Sequence, residues 1–233
     1  MKKVAVLQSN YIPWKGYFDI IHDVDEFIFY DDVQYTKNDW RNRNKVKTSS
    51  GTQWITIPIS ASCESLICDV ELPKSNWATK HFKTFSALYS KAPYYKEFKP
   101  FLEYVYLESH WSSLSELNQY IIQYISSELL GLDTKFIDSR KFNSEGKKLD
   151  RLLNLLKKVK TEVYISGPAA KDYIDDSKFK DEGITLVYKN YNNYPEYSQF
   201  HPPFDHYVTI LDLLFHVGLD APYYIWGWRE NEG

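Results

Sequence analysis

The first thirty residues contain two buried-strand patterns with a helix pattern between them. Residues 4–7 and 26–30 are short apolar runs with the length and composition of buried strands. Between them, Pro13 suits the first turn of a helix whose apolar face includes Phe18 and Ile21. Strand, helix, strand is the repeating unit of a parallel sheet. The chain is therefore restricted to folds in which helices pack on such a sheet.

Polar and aromatic side chains follow both predicted strands. Gln8, Tyr11 and Trp14 come after the first strand, and Asp31 and Asp32 come after the second. Ligands of parallel sheets bind outside the carboxyl ends of the strands. The sequence therefore predicts a binding site at one edge of the sheet.

The segment over residues 33–47 carries Trp40, Arg41 and Arg43. In an extended segment, residues two apart point the same way, so the two guanidinium groups could hold a phosphate or carboxylate together. A solvated basic loop paired with the preceding aspartates fits the spacing equally well. The alternation over residues 54–59 predicts a strand that forms a hairpin with this segment.

The middle of the chain, residues 76–131, is predicted to be a helical insertion. Apolar residues at spacings of three and four predict helices over 76–89, 100–108 and 112–130. His81 lies in the first of these helices. A histidine on a helix is more often a packed residue than a catalyst, but His81 is also a candidate general base.

Strand and helix patterns resume after the insertion. Strands are predicted over 135–138, 162–165 and 184–188, with a helix over 147–159. The prediction is a single α/β domain over residues 1–233, with a mostly parallel sheet, flanking helices and an inserted helical cap.

Small residues follow the predicted strand at 162–165. Ser166 and Gly167 lie at a strand-to-helix junction that leads into a predicted helix over 169–174. Small side chains there would let backbone N–H groups approach an anionic ligand. A tight turn alone would also favour Gly167. The chain has neither the G-x-G-x-x-G dinucleotide fingerprint nor a P-loop.

An aromatic, proline-interrupted loop occupies residues 188–207 and contains Tyr194 and Tyr197. Its prolines exclude a regular helix or a central strand. Because 17% of the whole chain is aromatic, some of these rings are expected to form the wall of a pocket. Simple packing is the alternative. His201 and His206 have no third ligand at metal-site spacing, so no metal is assigned.

Composition excludes several classes of protein. The net charge of -3 and the absence of a basic arm argue against nucleic acid as a partner. No apolar run reaches the ~20 residues of a membrane span, and the chain starts in a strand without a signal sequence, so a cytoplasmic location is expected. Cys63 and Cys68 lack a second ligand pair and are expected to be reduced.

Several blocks of the chain carry a family resemblance. In chain order they are QSNYIPWKGYFDII, DDVQYTKNDWRNRNKVK, KHFKTFSALYSKAPYY, YISGPAAKDYI, YPEYSQF and TILDLLFHVG. Together, over nearly the whole chain, they resemble the WbqC-like family of bacterial proteins, whose members are encoded among genes for O-antigen and other surface polysaccharides. The resemblance implies a role in making or modifying a sugar. It supplies no agreed catalytic residues, and the block HPPFDHY contains more histidine than the family usually has.

The leading hypothesis is a cytoplasmic transferase of surface-polysaccharide (lipopolysaccharide) biosynthesis that acts on a nucleotide-linked amino sugar, adding an acyl or aminoacyl group. His81 is the candidate base, and Asp31 or Asp32 would orient the amine. Arg41 and Arg43 would hold the diphosphate. The predicted platform for the sugar and the base comprises Gln8, Tyr11, Trp14, Trp40, Tyr194 and Tyr197. Ser166 and Gly167 would donate backbone hydrogen bonds.

The alternative is a non-catalytic protein of polysaccharide assembly that binds a nucleotide-linked sugar or a carbohydrate. The same aromatic and basic residues would then serve recognition alone. The sequence identifies no cofactor, and it does not identify the sugar or the donor.

Overall fold

The computed structural model describes residues 1–62, 64–172 and 175–231 and shows an α/β fold, as predicted. Its strands are β1 (Lys3–Leu7), β2 (Glu26–Phe29), β3 (Arg43–Thr48), β4 (Gly51–Thr56), β5 (Lys135–Asp138), β6 (Val163–Ser166) and β7 (Thr185–Tyr188). Its helices are α1 (Lys15–His22), α2 (Trp77–Tyr89), α3 (Tyr95–Glu103), α4 (Leu114–Tyr124), α5 (Lys148–Lys158), α6 (Asp176–Asp181) and α7 (Ile210–Val217).

Among the described residues, five strands form a parallel sheet in the order β5–β2–β1–β6–β7. The central strand β1 pairs with β2 along its length, from Val4 opposite Glu26 to Leu7 opposite Phe29. It pairs with β6 only at its start, where Val4 lies opposite Tyr164. The carboxyl halves of β1 and β6 therefore do not pair with each other.

Alternate side chains of the sheet enter two separate cores. Ala5 and Ile165 lie in the larger core, together with Phe18 of α1. Val6 and Tyr164 lie in the smaller core, together with helices α5 and α6. The chain thus leaves β1 toward one face and leaves β6 toward the opposite face. Adjacent strands whose connections diverge in this way form a topological switch point, where ligands of open α/β sheets bind.

The predicted helical segment 76–131 contains α2, α3 and α4, which join the larger core with α1 and α7. Helix α3 begins at Tyr95, so Pro100 lies inside it. Helices α3 and α4 each continue into a wider π turn, at Tyr104–Glu108 and Ile125–Leu129. No helix in the described ranges is long and apolar enough to cross a membrane.

Two local predictions need correction. The predicted hairpin forms from β3 and β4, but β4 runs from Gly51 to Thr56 and not over 54–59. Pro58 has no N–H for a further ladder bond. The predicted helix over 169–174 is instead a 3-10 turn at Pro168–Asp172, and α6 begins at Asp176. Residues 173 and 174 lie outside the described part of the chain.

Candidate functional site

A cavity of about 850 Å³ lies at the switch point, where β1 and β6 end. Its volume falls within the range of about 300–1,000 Å³ that is typical of small-molecule sites. The cavity faces the side of the sheet that carries α5 and α6. Its lining residues are Val6, Leu7, Gln8, Tyr30, Lys148, Leu149, Leu152, Tyr164, Ser166, Gly167, Pro168, Ala169, Ala170 and Tyr191.

The alternation of the strands brings Gln8 and Ser166 to the same side of this cavity. Gln8 continues the face of Val6, and Ser166 continues the face of Tyr164. The Tyr17 hydroxyl donates to the main-chain carbonyl of Gln8 at 2.9 Å, which fixes the turn after β1. The side-chain amide of Gln8 makes no hydrogen bond within the described ranges and is therefore available to a ligand.

Gly167 keeps one wall of the cavity open. A Cβ atom at this position would meet only the Tyr191 hydroxyl, at 3.9 Å, so the backbone here is not crowded. Burial raises the pKa of that Tyr191 hydroxyl, which holds it in the neutral form. Tyr191 can therefore serve as a hydrogen-bond donor beside Gly167.

The rest of the lining is apolar except at the rim. Leu149 and Leu152 of α5 supply one wall, and Lys148 is the charged residue in the lining described above. Lys148 has a φ of 49°, in the left-handed region that non-glycine residues seldom occupy. This backbone conformation places an exposed lysine at the entrance, where it can attract an anionic group.

The two predicted aspartates lie just beyond Tyr30, at the end of β2, and neither lines the cavity. Asp31 is 0% exposed and accepts from the Ser9 N–H at 2.8 Å, the Ser115 hydroxyl at 2.5 Å and the Gln119 amide at 3.0 Å. Since its carboxylate oxygens already have donors, Asp31 serves to join the turn after β1 to α4.

Asp32 is committed to a different group of side chains. Its carboxylate accepts from the Ser139 hydroxyl and from Arg151. The Arg151 guanidinium also lies 5.3 Å from the centre of the Tyr30 ring. Asp32 is thus linked to the cavity lining through Arg151 and its contact with Tyr30.

His81 and Tyr11 lie in the core and not at the cavity. The Tyr11 hydroxyl is 2.7 Å from His81 Nδ1 and 2.7 Å from the Tyr106 hydroxyl, while His81 Nε2 is 3.1 Å from the Thr56 carbonyl. Burial lowers the pKa of His81 to about 4 and raises that of Tyr11. Both nitrogens of the predicted base are engaged, and the imidazole is 6% exposed. Its position offers no route to a ligand at the switch point.

Arg41 and Arg43 do not lie side by side as a clamp. Arg41 donates to the Asn10 side chain and lies 3.4 Å from Asp39, close to the turn after β1. Arg43 instead stacks on Trp54 at 4.2 Å from the ring centre. The two side chains separate because Arg41 precedes β3 in a turn, whereas Arg43 begins the strand.

The residues of the predicted aromatic platform do not all meet at the cavity, although the Trp14 and Tyr194 ring centres are 6.1 Å apart. Trp40 is 38% exposed and lies 5.1 Å from the partly exposed Trp54 on the hairpin. Trp14 lies 5.1 Å from Tyr191, which does line the cavity. Tyr194 and Tyr197 do not reach the cavity, because their hydroxyls donate to buried carboxylates, Asp19 and Asp212 respectively.

Several lining residues carried no sequence signal that singled them out. Lys148, Leu149 and Leu152 belong to an ordinary amphipathic helix pattern, whose first turn happens to border the cavity. Tyr191 was one ring among many in the aromatic loop. Its position two residues after Lys189, whose N–H donates to the Ser166 carbonyl at 2.8 Å, is what brings it to the site.

Within the described ranges, one cluster of side chains is close enough together to hold a metal ion: Asp19, His22 and Asp23. Its carboxylates already pair with cations. Lys189 lies 2.7 Å from Asp19 and also bonds Asp23, and Arg229 bonds both Asp19 oxygens. These cations occupy the positions that a metal ion would need.

The comparisons with known proteins agree with the resemblance drawn from the sequence blocks. The model of the WbqC-like protein family matches residues 8–224. The uncharacterized protein Rv1507c of Mycobacterium tuberculosis (strain ATCC 25618 / H37Rv) is 43% identical over 227 residues, covering 97% of this chain and 98% of its own. No solved structure is significantly similar to this chain. The family match spans both the turn after β1 and the switch-point loop after β6, so this chain belongs to the WbqC-like protein family.

Proposed function

We propose that this protein is a cytoplasmic transferase of surface-polysaccharide biosynthesis that binds a nucleotide-linked amino sugar in the switch-point cavity and transfers an acyl or aminoacyl group to the sugar amine. The observation that carries the proposal is the cavity itself. It lies where β1 and β6 separate, and Gln8, Ser166 and Gly167, which the sequence predicted as substrate-binding residues, all line it.

The chemistry of the lining fits the parts of such a ligand. The apolar wall of Leu149 and Leu152 suits a nucleoside, and Lys148 at the entrance suits a diphosphate. The side chains of Gln8, Ser166 and Tyr191 provide polar groups for sugar hydroxyls.

The proposed reaction depends on orientation more than on acid–base catalysis. The sugar nitrogen attacks the carbonyl carbon of an activated donor, a C–N bond forms, the bond to the donor's leaving group breaks, and the proton of the amine passes to water. Holding both reactants in place lowers the barrier to this step. The neutral Tyr191 hydroxyl can donate to the oxyanion that develops on the carbonyl. No step uses His81.

A second candidate function, binding without catalysis, is favoured by one observation. The lining of the cavity, as far as the described residues go, contains no His, Cys, Asp or Glu side chain. A protein that only recognises a nucleotide-linked sugar needs none of these groups.

Two measurements test the proposal in order. Calorimetry with a panel of amino-sugar nucleotides should detect binding, and Gly167→Trp should abolish it by filling the cavity from an uncrowded position. Gly227→Trp is the matched control, because its Cβ is also uncrowded and it does not line the cavity. Incubation with acyl and aminoacyl donors, read by mass spectrometry, then separates the two functions. A folded protein that binds none of the nucleotides refutes both.

A further inference from the structure

A second cavity lies at the same edge of the sheet but on the opposite face. It has a volume of about 360 Å³ and borders α4 and the turn after β5. Its lining residues are Trp111, Ser113, Ser115, Glu116, Gln119, Tyr120, Gln123 and Arg140. None of them lines the switch-point cavity, and the sequence predicted no functional role for any of them.

Two aromatic rings form one wall of this second cavity. The ring centres of Trp111 and Tyr120 are 4.7 Å apart and the rings are tilted by 40°. The Trp111 indole is held in place because its Nε1–H donates to the Val105 carbonyl at 2.8 Å. Tyr120 also lies 5.8 Å from Tyr124, nearly parallel to it. The wall is therefore a fixed surface suited to a flat, weakly polar face.

Several polar side chains of this lining keep acceptor oxygens for a ligand. The Gln119 amide nitrogen donates to Asp31, Ser115 and Asp138, which turns its carbonyl oxygen away from them. Glu116 uses Oε2 for both of its bonds to Ser112, which leaves Oε1.

Two further lining side chains have groups to spare. The Gln123 amide nitrogen donates to the main-chain carbonyl of Gln119 at 3.2 Å, so the Gln123 side-chain oxygen remains. Arg140 uses Nε and one terminal nitrogen on Asp138, which balances its charge and leaves Nη1. The cavity therefore offers acceptor oxygens on Gln119, Glu116 and Gln123, with a carboxylate among them, and N–H donors on Arg140 and Gln123.

This arrangement selects one ligand chemistry. A phosphate or carboxylate would meet the Glu116 carboxylate and oxygen acceptors, which disfavour an anion. A ligand with several hydroxyl donors and an apolar C–H face would satisfy the acceptors and lie against the rings. We infer that the second cavity is a binding site for a neutral saccharide unit, distinct from the nucleotide-linked sugar proposed for the switch-point cavity.

The test uses the full chain and three neutral trisaccharides as probes: maltotriose, chitotriose and mannotriose. Saturation-transfer NMR should show binding of at least one of them. The indole N–H resonance of Trp111 should also shift on titration, and Trp111→Phe identifies that resonance. Tyr120→Ala should weaken the affinity about tenfold or more, because it removes an aromatic anchor. Tyr207→Ala, at a 60% exposed tyrosine outside the cavity, is the matched control.

Gln123→Trp provides a second variant, because it fills the cavity from a partly exposed helix position and leaves Tyr120 in place. It should also abolish binding, whereas Gly167→Trp should not. A folded protein that binds none of the three probes overturns the inference, and so does binding that survives Gln123→Trp. Loss of nucleotide-sugar binding in Gly167→Trp with retained trisaccharide binding would support both sites independently.

Discussion

Asp19 is a fully buried carboxylate with two cationic partners. It lies on α1, is 0% exposed, and pairs with Lys189 at 2.7 Å and with both terminal nitrogens of Arg229. The Tyr194 hydroxyl donates to it as well. Asp19 thus joins the helix after β1 to the chain after β7 and to the C-terminal segment.

Asp19→Asn preserves the shape of the side chain but removes its charge. Lys189 is 6% exposed at its side chain and would then be a buried cation with only Asp23 as a partner. Breaking a buried ion pair from one side costs about 3–5 kcal/mol. Because the Arg229 side chain is 32% exposed and stays partly solvated, we expect the lower end, about 3 kcal/mol.

The assay is thermal and urea unfolding followed by circular dichroism. A loss of about 3 kcal/mol corresponds to a fall in Tm of roughly 6–12 °C for a chain of this size. Asp133→Asn is the matched control, since Asp133 is exposed, and it should stay within about 0.5 kcal/mol of the parent. Combining Asp19→Asn with Arg229→Gln should cost less than the sum of the two single changes. A loss below about 1 kcal/mol for Asp19→Asn, or strict additivity with Arg229→Gln, would refute this reasoning.

Three further predictions follow from buried or shielded groups. Lys15 is 3% exposed, and burial lowers its pKa to about 8. The unfolded chain keeps this proton up to a higher pH than the folded chain does. In urea titrations the parent should therefore gain stability relative to Lys15→Met between pH 8 and 9.5. Burial lowers the pKa of His81 from 6.5 to about 4, so the unfolded chain takes up this proton first as the pH falls. The parent should therefore lose stability relative to His81→Gln between pH 6.5 and 4. A stability difference that stays constant over this range would contradict the prediction. The pKa of Cys68 is raised to about 11, so in a Cys63→Ser background its reaction with a thiol reagent at pH 8 should be slower than that of glutathione.

The sheet was predictable because its strands are short apolar runs with clear boundaries. All five strands of the sheet occur within about a residue of the predicted positions. The helix pattern of Leu149, Leu152 and Leu156 likewise predicted α5. Neither prediction required knowing which elements are neighbours in space.

The site was only partly predictable, because burial and pairing are decided by distant residues. Gln8, Ser166 and Gly167 follow strand ends, and that position alone places them at the cavity. Nothing local to His81 reveals that Tyr11, 70 residues away, hydrogen-bonds its ring in the core. The roles predicted for the aspartates, arginines and aromatic residues remain predictions, and their observed contacts are mostly with residues distant in the sequence.

The order of the strands explains the position of the first cavity, and Asp31 links that cavity to the second. The segments after β1 and β6 go to opposite faces and part at the first cavity, whereas the second cavity lies between α4 and the turn after β5. Asp31 lies between the two: it accepts from Ser9, next to Gln8 of the first cavity, and from Ser115 and Gln119 of the second. Asp31→Asn should therefore disturb ligand binding on both faces, whereas Gly167→Trp and Gln123→Trp should each affect one.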